Sequence, residues 1–167
     1  MINLKTKYAF GGLVIAIIII IVSGYFYWKK PAPMALTFTP ITSIVELNRA
    51  LKIAAQQQHP VLLDVYAEWC SPCIALTQKT FPATKVIPQL NKFTRLKANV
   101  TANNAADIAL MQHLQIIGFP SLLFWDPQGN PLPQATISGF INADDFSHYL
   151  QLPMFSPAPS SASQKTP

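Results

Sequence analysis

The two cysteines of the sequence, Cys70 and Cys73, are separated by two residues in the run Trp-Cys-Ser-Pro-Cys. This spacing is compatible with three kinds of chemistry. The pair can exchange between dithiol and disulfide, it can supply half of the ligands of a zinc site, or it can form a disulfide that only stabilises the fold. The elements around the pair favour one of the three.

The cysteine pair follows a predicted strand and opens a predicted helix. Residues 61–66 form a short, almost continuous apolar run, which is typical of a strand buried on both faces of a sheet. Cysteines three positions apart at the start of a helix lie on one face, within disulfide distance. The partial positive charge of the helix N-terminus stabilises a thiolate, the nucleophile in disulfide exchange. The placement therefore favours a redox-active dithiol.

The two alternatives have weaker support in the sequence. A closed zinc site needs two more ligands, and the three histidines, His59, His113 and His148, form no pair at short spacing. A structural disulfide suits an exported protein, but a loop of two intervening residues restricts the unfolded chain little. We expect no metal site and no cofactor other than the redox-active disulfide Cys70–Cys73.

The rest of the sequence predicts alternating helices and strands. Ser43 is a candidate N-cap of a first helix, and a later helix, capped by Asn103 or Asn104, is expected to carry Ile108, Met111 and Leu114. The predicted elements after the first helix are a strand at 61–66, a helix from the cysteines towards 81–82 with a continuation at 84–90, a strand at 93–100, a helix from 103–104, strands at 121–125 and 134–138, and a helix from 142–143. This order predicts an α/β fold with a mixed central sheet and helices on both faces.

Several segments resemble one protein family. VLLDVYAEWCSPC at residues 61–73 resembles the active-site strand and turn of thioredoxins, and GFPSLLFW at 118–125 resembles their cis-proline segment. The stretches at 97–130 and 137–150 are similar to the C-terminal, periplasmic thioredoxin-like domain of the DsbD thiol:disulfide interchange proteins. The resemblance covers about residues 44–150 and implies a thioredoxin-like fold.

The resemblance also implies a role for individual residues. Cys70 would be the exposed nucleophile and Cys73 the resolving cysteine. Asp64 would be the buried acid that moves a proton to or from Cys73, a role for which burial suits a carboxylate because it raises the pKa; a strand-end charge in solvent is the alternative. Phe119 and Pro120 would contact substrate, the former through its backbone and the latter as a cis-proline.

Three residues near the pair need separate comment. Trp69 is either an ordinary core aromatic or a flat apolar docking surface beside Cys70, and the sequence supports both equally. Ile74 and Thr77 depart from the related proteins, which carry a lysine and an acidic residue at these positions. Both departures remove charge near the dithiol, so the direction of electron flow stays open.

The chain outside this domain predicts a membrane anchor. Residues 8–28 carry no formal charge and suit a helix across a hydrocarbon core of roughly 30 Å. We prefer an uncleaved signal anchor to a cleaved signal peptide, since four aromatic residues continue the apolar run. The predicted organisation is a cytoplasmic segment at 1–7, the transmembrane helix at 8–28, a linker at 29–40, the thioredoxin-like domain at 41–152 and a disordered tail at 153–167.

The positive net charge of +5 does not indicate nucleic-acid binding. Five of the twelve bases flank the apolar run or lie in the tail, and the other seven are balanced by the seven acids of the predicted domain. The folded part is therefore formally neutral.

The leading functional hypothesis is a reductase in the bacterial inner membrane, single-pass, with its catalytic domain in the periplasm. The resemblance implies a separate polytopic membrane electron donor, of the DsbD or CcdA type, and oxidised periplasmic protein thiols as clients. The alternatives are a disulfide oxidase or isomerase, which would use the same cysteines, and a non-catalytic tethered binding module. The intact cysteine pair disfavours the last, because a binding groove requires no dithiol.

Overall fold

The computed structural model describes residues 36–157, and five strands in this part form one sheet. The strands are β1 (Thr39–Pro40), β2 (Val61–Tyr66), β3 (Thr94–Asn99), β4 (Ser121–Trp125) and β5 (Ile137–Ser138). Their order across the sheet is β1-β3-β2-β4-β5. The first three are parallel to one another, whereas β4 is antiparallel to β2 and β5 is antiparallel to β4. The mixed sheet confirms the predicted α/β class.

Helices cover both faces of this sheet. They are α1 (Ile44–Gln56), α2 (Ser71–Ala75), α3 (Ile87–Leu90), α4 (Ala105–His113) and α5 (Ala143–Tyr149), with a π-helix at Leu76–Thr80 that continues α2 and 3-10 turns at Pro133–Ala135 and Pro153–Phe155. Val61 and Leu63 of β2 pack in one core with residues of α1 and α4. Leu62 packs in a second core with residues of the π-helix, α3 and α5. Successive side chains of β2 therefore alternate between two buried layers.

The helix after the cysteines runs to Thr80, close to its predicted end at 81–82. Its hydrogen bonding changes from α to π at Leu76, and Phe81 N–H donates to the Leu76 carbonyl at 3.0 Å. The wider turn accompanies a buried hydrogen bond from the Thr80 hydroxyl to the Ile141 carbonyl, at 2.7 Å. The predicted continuation is reduced to the single turn of α3.

The predicted helix from 103–104 is present as α4, and Met111 and Leu114 pack against the core. Ile108 is 40% exposed, whereas Leu110 is 1% exposed and occupies the core. A capping box between Asn104 and Asp107 begins α4, and it sets the phase of the helix so that Asp107 and Leu110 face the sheet.

The domain extends beyond both predicted boundaries. Residues 39–40, which the sequence analysis places in the linker, pair with Leu96 and Lys97 of β3. They form a short edge strand on that side of the sheet. The tail is ordered at its start, since Phe155 packs with its ring 4.9 Å from that of Phe124. A single large aromatic buries enough apolar surface to hold a segment that composition alone assigns to disorder.

The predicted transmembrane helix, residues 29–35 of the linker and residues 158–167 of the tail lie outside the described residues. Between residues 36 and 157, no helix combines the length and the hydropathy needed to cross a membrane.

Phe155→Ala should destabilise the domain by about 3 kcal/mol, because truncation of a buried Phe leaves a cavity. Chemical denaturation of the full chain in detergent measures the free energy of unfolding. Met154→Ala is the matched control, since Met154 is 37% exposed and should have little effect. Equal effects of the two substitutions would contradict the packing role of Phe155.

Candidate active site

Cys70 and Cys73 form a disulfide at the start of α2, with their Cα atoms 5.2 Å apart. Cys70 is the N-cap of the helix, and its sulfur accepts a hydrogen bond from the Cys73 N–H at 3.2 Å. Pro72 lies in the first turn of α2, where its missing N–H costs no helical hydrogen bond. The end of a helix where N–H groups are free thus faces the Cys70 sulfur, and this arrangement stabilises a thiolate there after reduction.

Asp64 lies in the middle of β2, and only 2% of its surface is exposed. Strand alternation places its side chain on the same face of the sheet as Leu62, the face covered by the π-helix that continues α2. The Asp64 Oδ1 atom is buried without a hydrogen-bond partner within the described chain. Burial raises the pKa of this carboxyl to about 6, although the positive charge of Lys97 acts in the opposite direction. Asp64 is therefore a buried carboxyl, and a strand-end charge in solvent is excluded.

Lys97 is a residue of this site that the sequence analysis missed. It pairs with Asp64 in the parallel register of β2 and β3, and its Nζ lies 3.7 Å from Asp64 Oδ2. The Nζ also lies 4.3 Å from the centre of the Tyr66 ring and donates to the Thr77 hydroxyl at 3.3 Å. A charged residue in the middle of a predicted strand indicates that its side chain has a polar partner. The sequence does not identify that partner, because it depends on the strand register.

The two positions that depart from the related proteins both lie beside Cys73. Ile74 and Thr77 line a cavity of about 260 Å³ together with Cys73 and Lys97. Thr77 contributes a hydroxyl to the lysine, and Ile74 is 43% exposed. The charged side chains that line this cavity are Glu68 and Lys97, and neither Ile74 nor Thr77 adds a charge.

Phe119 and Pro120 pass next to the disulfide, and the peptide bond between them is cis. Phe119 packs against the buried cluster of Ala67, Cys70 and Cys73. Trp69 lies edge-on to Phe119 with the ring centres 5.8 Å apart, and it is 68% exposed. This exposure is incompatible with the core interpretation of Trp69. Trp69, Phe119 and the two cysteines therefore lie together, and Pro120 is joined to Phe119 by the cis bond. The expected exposure of Cys70 is not found, since Cys70 is 5% exposed in the disulfide and Cys73 is 4% exposed.

No three His, Cys, Asp or Glu side chains between residues 36 and 157 are grouped closely enough to hold a metal ion.

The fold and the disulfide facing a cis-proline define a protein of the thioredoxin class. Residues 47–152 match the model of the thioredoxin-like domain family. Because this match includes more than half of the chain, the protein belongs to the thioredoxin-like family.

Two curated relatives and one solved structure give a finer comparison. The chain is 47% identical over 119 residues to the thiol:disulfide interchange protein DsbD of Salmonella choleraesuis, covering 71% of this chain and 21% of that protein. It is 37% identical over 163 residues to DsbD of Vibrio vulnificus, covering 89% of this chain and 28% of that protein. The oxidised C-terminal domain of Neisseria meningitidis DsbD aligns with a TM-score of 0.58 and 25% identity, covering 68% of this chain and 96% of that domain. The chain thus spans between a fifth and a third of the curated relatives' length.

The buried Asp64 should make stability depend on pH. Its pKa is raised from 3.8 to about 6 on folding, so between these values the folded chain binds more protons than the unfolded chain. The free energy of unfolding therefore falls as pH rises through that window. Asp64→Asn should remove this dependence and stabilise the oxidised protein above pH 7 by on the order of 2 kcal/mol, with no gain below about pH 4.

Chemical denaturation at several pH values measures this difference. Asp126→Asn, in the turn after β4, is the control for loss of one carboxylate. The same pH slope in the wild type and in Asp64→Asn would contradict the assignment.

Proposed function

We propose that the chain is a membrane-anchored thiol–disulfide oxidoreductase that reduces oxidised periplasmic proteins with electrons from a membrane donor. The observation that carries this proposal is the disulfide at a helix N-terminus, together with a buried carboxyl whose pKa is about 6 on the sheet face that this helix covers. The similarity to DsbD proteins, which are named for thiol:disulfide interchange, supports the exchange chemistry.

The reaction begins with the reduced pair. The Cys70 thiolate attacks one sulfur of a client disulfide, and the other client sulfur leaves as a thiolate. The Cys73 thiol then loses its proton and attacks the Cys70 sulfur of the mixed disulfide. This second step releases the remaining client thiolate and forms the Cys70–Cys73 disulfide, so the client gains two electrons and the pair loses two.

Asp64 is the proposed acceptor of the Cys73 proton. With a pKa of about 6, the Asp64 carboxyl is mostly ionised at neutral pH and can therefore accept a proton. Its pKa is also close to neutral pH, which favours proton transfer in both directions. A fully solvated carboxylate would be a weaker base, because its pKa is lower. Lys97 limits the rise in pKa, so the pair keeps the acid in the useful range.

The anchor and the donor complete the proposal. The uncharged segment at 8–28 supports a single-pass anchor in the bacterial inner membrane with the domain in the periplasm. The donor is a polytopic membrane protein whose own dithiol reduces the Cys70–Cys73 disulfide by the reverse of the steps above. Clients are oxidised proteins of the same compartment.

Two cysteine variants test the chemistry. Cys70→Ser should abolish insulin reduction by the full chain in detergent above the rate with dithiothreitol alone, because the cysteine that attacks the client is lost. Cys73→Ser should also stop turnover but accumulate a mixed disulfide between Cys70 and insulin, visible on a non-reducing gel.

Val45→Ser is the control, since Val45 is exposed on α1 away from the cysteines. Full insulin reduction by Cys70→Ser would rule out the proposed chemistry.

A further inference from the structure

Two loops meet beside the disulfide and are joined by hydrogen bonds. One loop lies between β2 and α2 and carries Glu68, and the other follows β3 and carries Thr101. The Glu68 N–H donates to the Thr101 hydroxyl at 2.8 Å. Asn99 donates through Nδ2 to the Glu68 carboxylate at 2.9 Å, and the Val100 N–H donates to the Tyr66 carbonyl at 3.0 Å. Residues 99–101, at the end of β3 and the start of the second loop, thus hold the end of β2 and the first loop.

The second loop is itself fixed by Asn99. The Asn99 Oδ1 atom accepts from the Thr101 N–H at 3.0 Å and also from the Thr101 hydroxyl. The Thr101 hydroxyl therefore donates to Asn99 while it accepts from Glu68, so its single proton and its lone pairs are both used. Asn99 and Thr101 together form what we call the loop clamp.

The loop clamp acts on the backbone that carries Trp69. Glu68 is held on one side of Trp69, and the Cys70 N–H donates to the Ala67 carbonyl at 3.1 Å on the other. The Trp69 ring itself is 68% exposed and touches Phe119 only edge-on. Because so much of the ring lies in solvent, its direction depends on the backbone at Glu68 and Cys70.

The clamp is not needed to satisfy buried polar groups. Glu68, Asn99 and their contacts are at the surface, where water can replace a lost partner. Removing a surface hydrogen bond has little effect on stability, because the freed groups are hydrated. The loop clamp therefore contributes little to the free energy of unfolding. Its effect is to restrict the backbone conformation at Glu68.

We propose that Asn99 and Thr101 are positioning residues that hold the Glu68–Trp69 turn so that the Trp69 ring is preset for docking of protein disulfides. The inference rests on the proposed function and deepens it. A protein client contacts the Trp69 surface and benefits from a fixed ring, since less side-chain entropy is lost on binding. A small disulfide reaches the Cys70 sulfur without that surface.

The test compares Thr101→Val with Thr101→Ser in the full chain. Valine keeps the shape of threonine but cannot accept from Glu68, whereas serine keeps the hydroxyl. Thr101→Val should raise KM for insulin by about three- to tenfold, because the freed turn and the Trp69 side chain must then be ordered when the client binds, with kcat unchanged. Thr101→Ser should restore the wild-type KM. The rate of reaction of the reduced chain with oxidised glutathione should be the same in all three.

A spectroscopic readout separates positioning from stability. In protein labelled with fluorotryptophan, the Trp69 resonance, assigned with Trp69→Phe, should shift or broaden in Thr101→Val and return in Thr101→Ser. The Trp125 resonance should not move, because Trp125 is buried in the core on the other side of the sheet from α2. Thr136→Val, at an exposed threonine before β5, is the matched control.

Asn99→Ala provides a second variant if Thr101→Val does not fold, and it should raise KM for insulin in the same way. An unchanged KM in the folded variant, or a failure of Thr101→Ser to restore it, would overturn the clamp. An equal loss of rate with insulin and glutathione would also overturn it, since the defect would then be in the chemistry. A wild-type chain that does not reduce insulin would instead overturn the proposed function, and the clamp with it.

Discussion

The site depends on one electrostatic constraint, the burial of the Asp64 carboxyl on the face of the sheet covered by the helix that begins at the cysteines. A carboxylate in this position loses its hydration, and the described chain offers Oδ1 no hydrogen bond in return. The pKa of Asp64 rises for this reason, and Lys97 at 3.7 Å opposes the rise without cancelling it. A solvated aspartate stays ionised near neutral pH, whereas Asp64, with a pKa of about 6, can take up a proton close to neutral pH.

The fold supplies the geometry that this constraint requires. Parallel pairing of β2 and β3 places Asp64 opposite Lys97, and the turn after β2 leads directly to Cys70 at the start of α2. β4 begins directly after the cis peptide bond between Phe119 and Pro120, so these two residues are continuous with a central strand. The disulfide, the buried Asp64 carboxyl and the cis Phe119–Pro120 bond are thus all attached to the central strands β2 and β4.

The sequence predicts those parts of the structure that depend on local pattern. Strand β2 appears at the predicted residues because its apolar run is continuous, and Ser43, Asn104 and Asn142 cap helices as expected from their side-chain oxygens. Two features depend on tertiary contacts and were not predicted. Phe155 is ordered only because Phe93, Phe124 and Tyr149 surround it, and Lys97 belongs to the site only because of the strand register. The role of the cis-proline came from family resemblance, since X–Pro bonds are cis in only about 5–6% of cases.

The direction of electron flow is the central claim of this account, because the same cysteines would serve an oxidase at a higher reduction potential. The most direct measurement is the redox state of Cys70 and Cys73 in growing cells, trapped by acid quenching and alkylation and read as a mass shift of the full chain. A reductase supplied by a membrane donor should be found mainly as the dithiol, and removal of donor activity should convert it to the disulfide. A chain that is mainly disulfide in cells with an active donor would contradict the account.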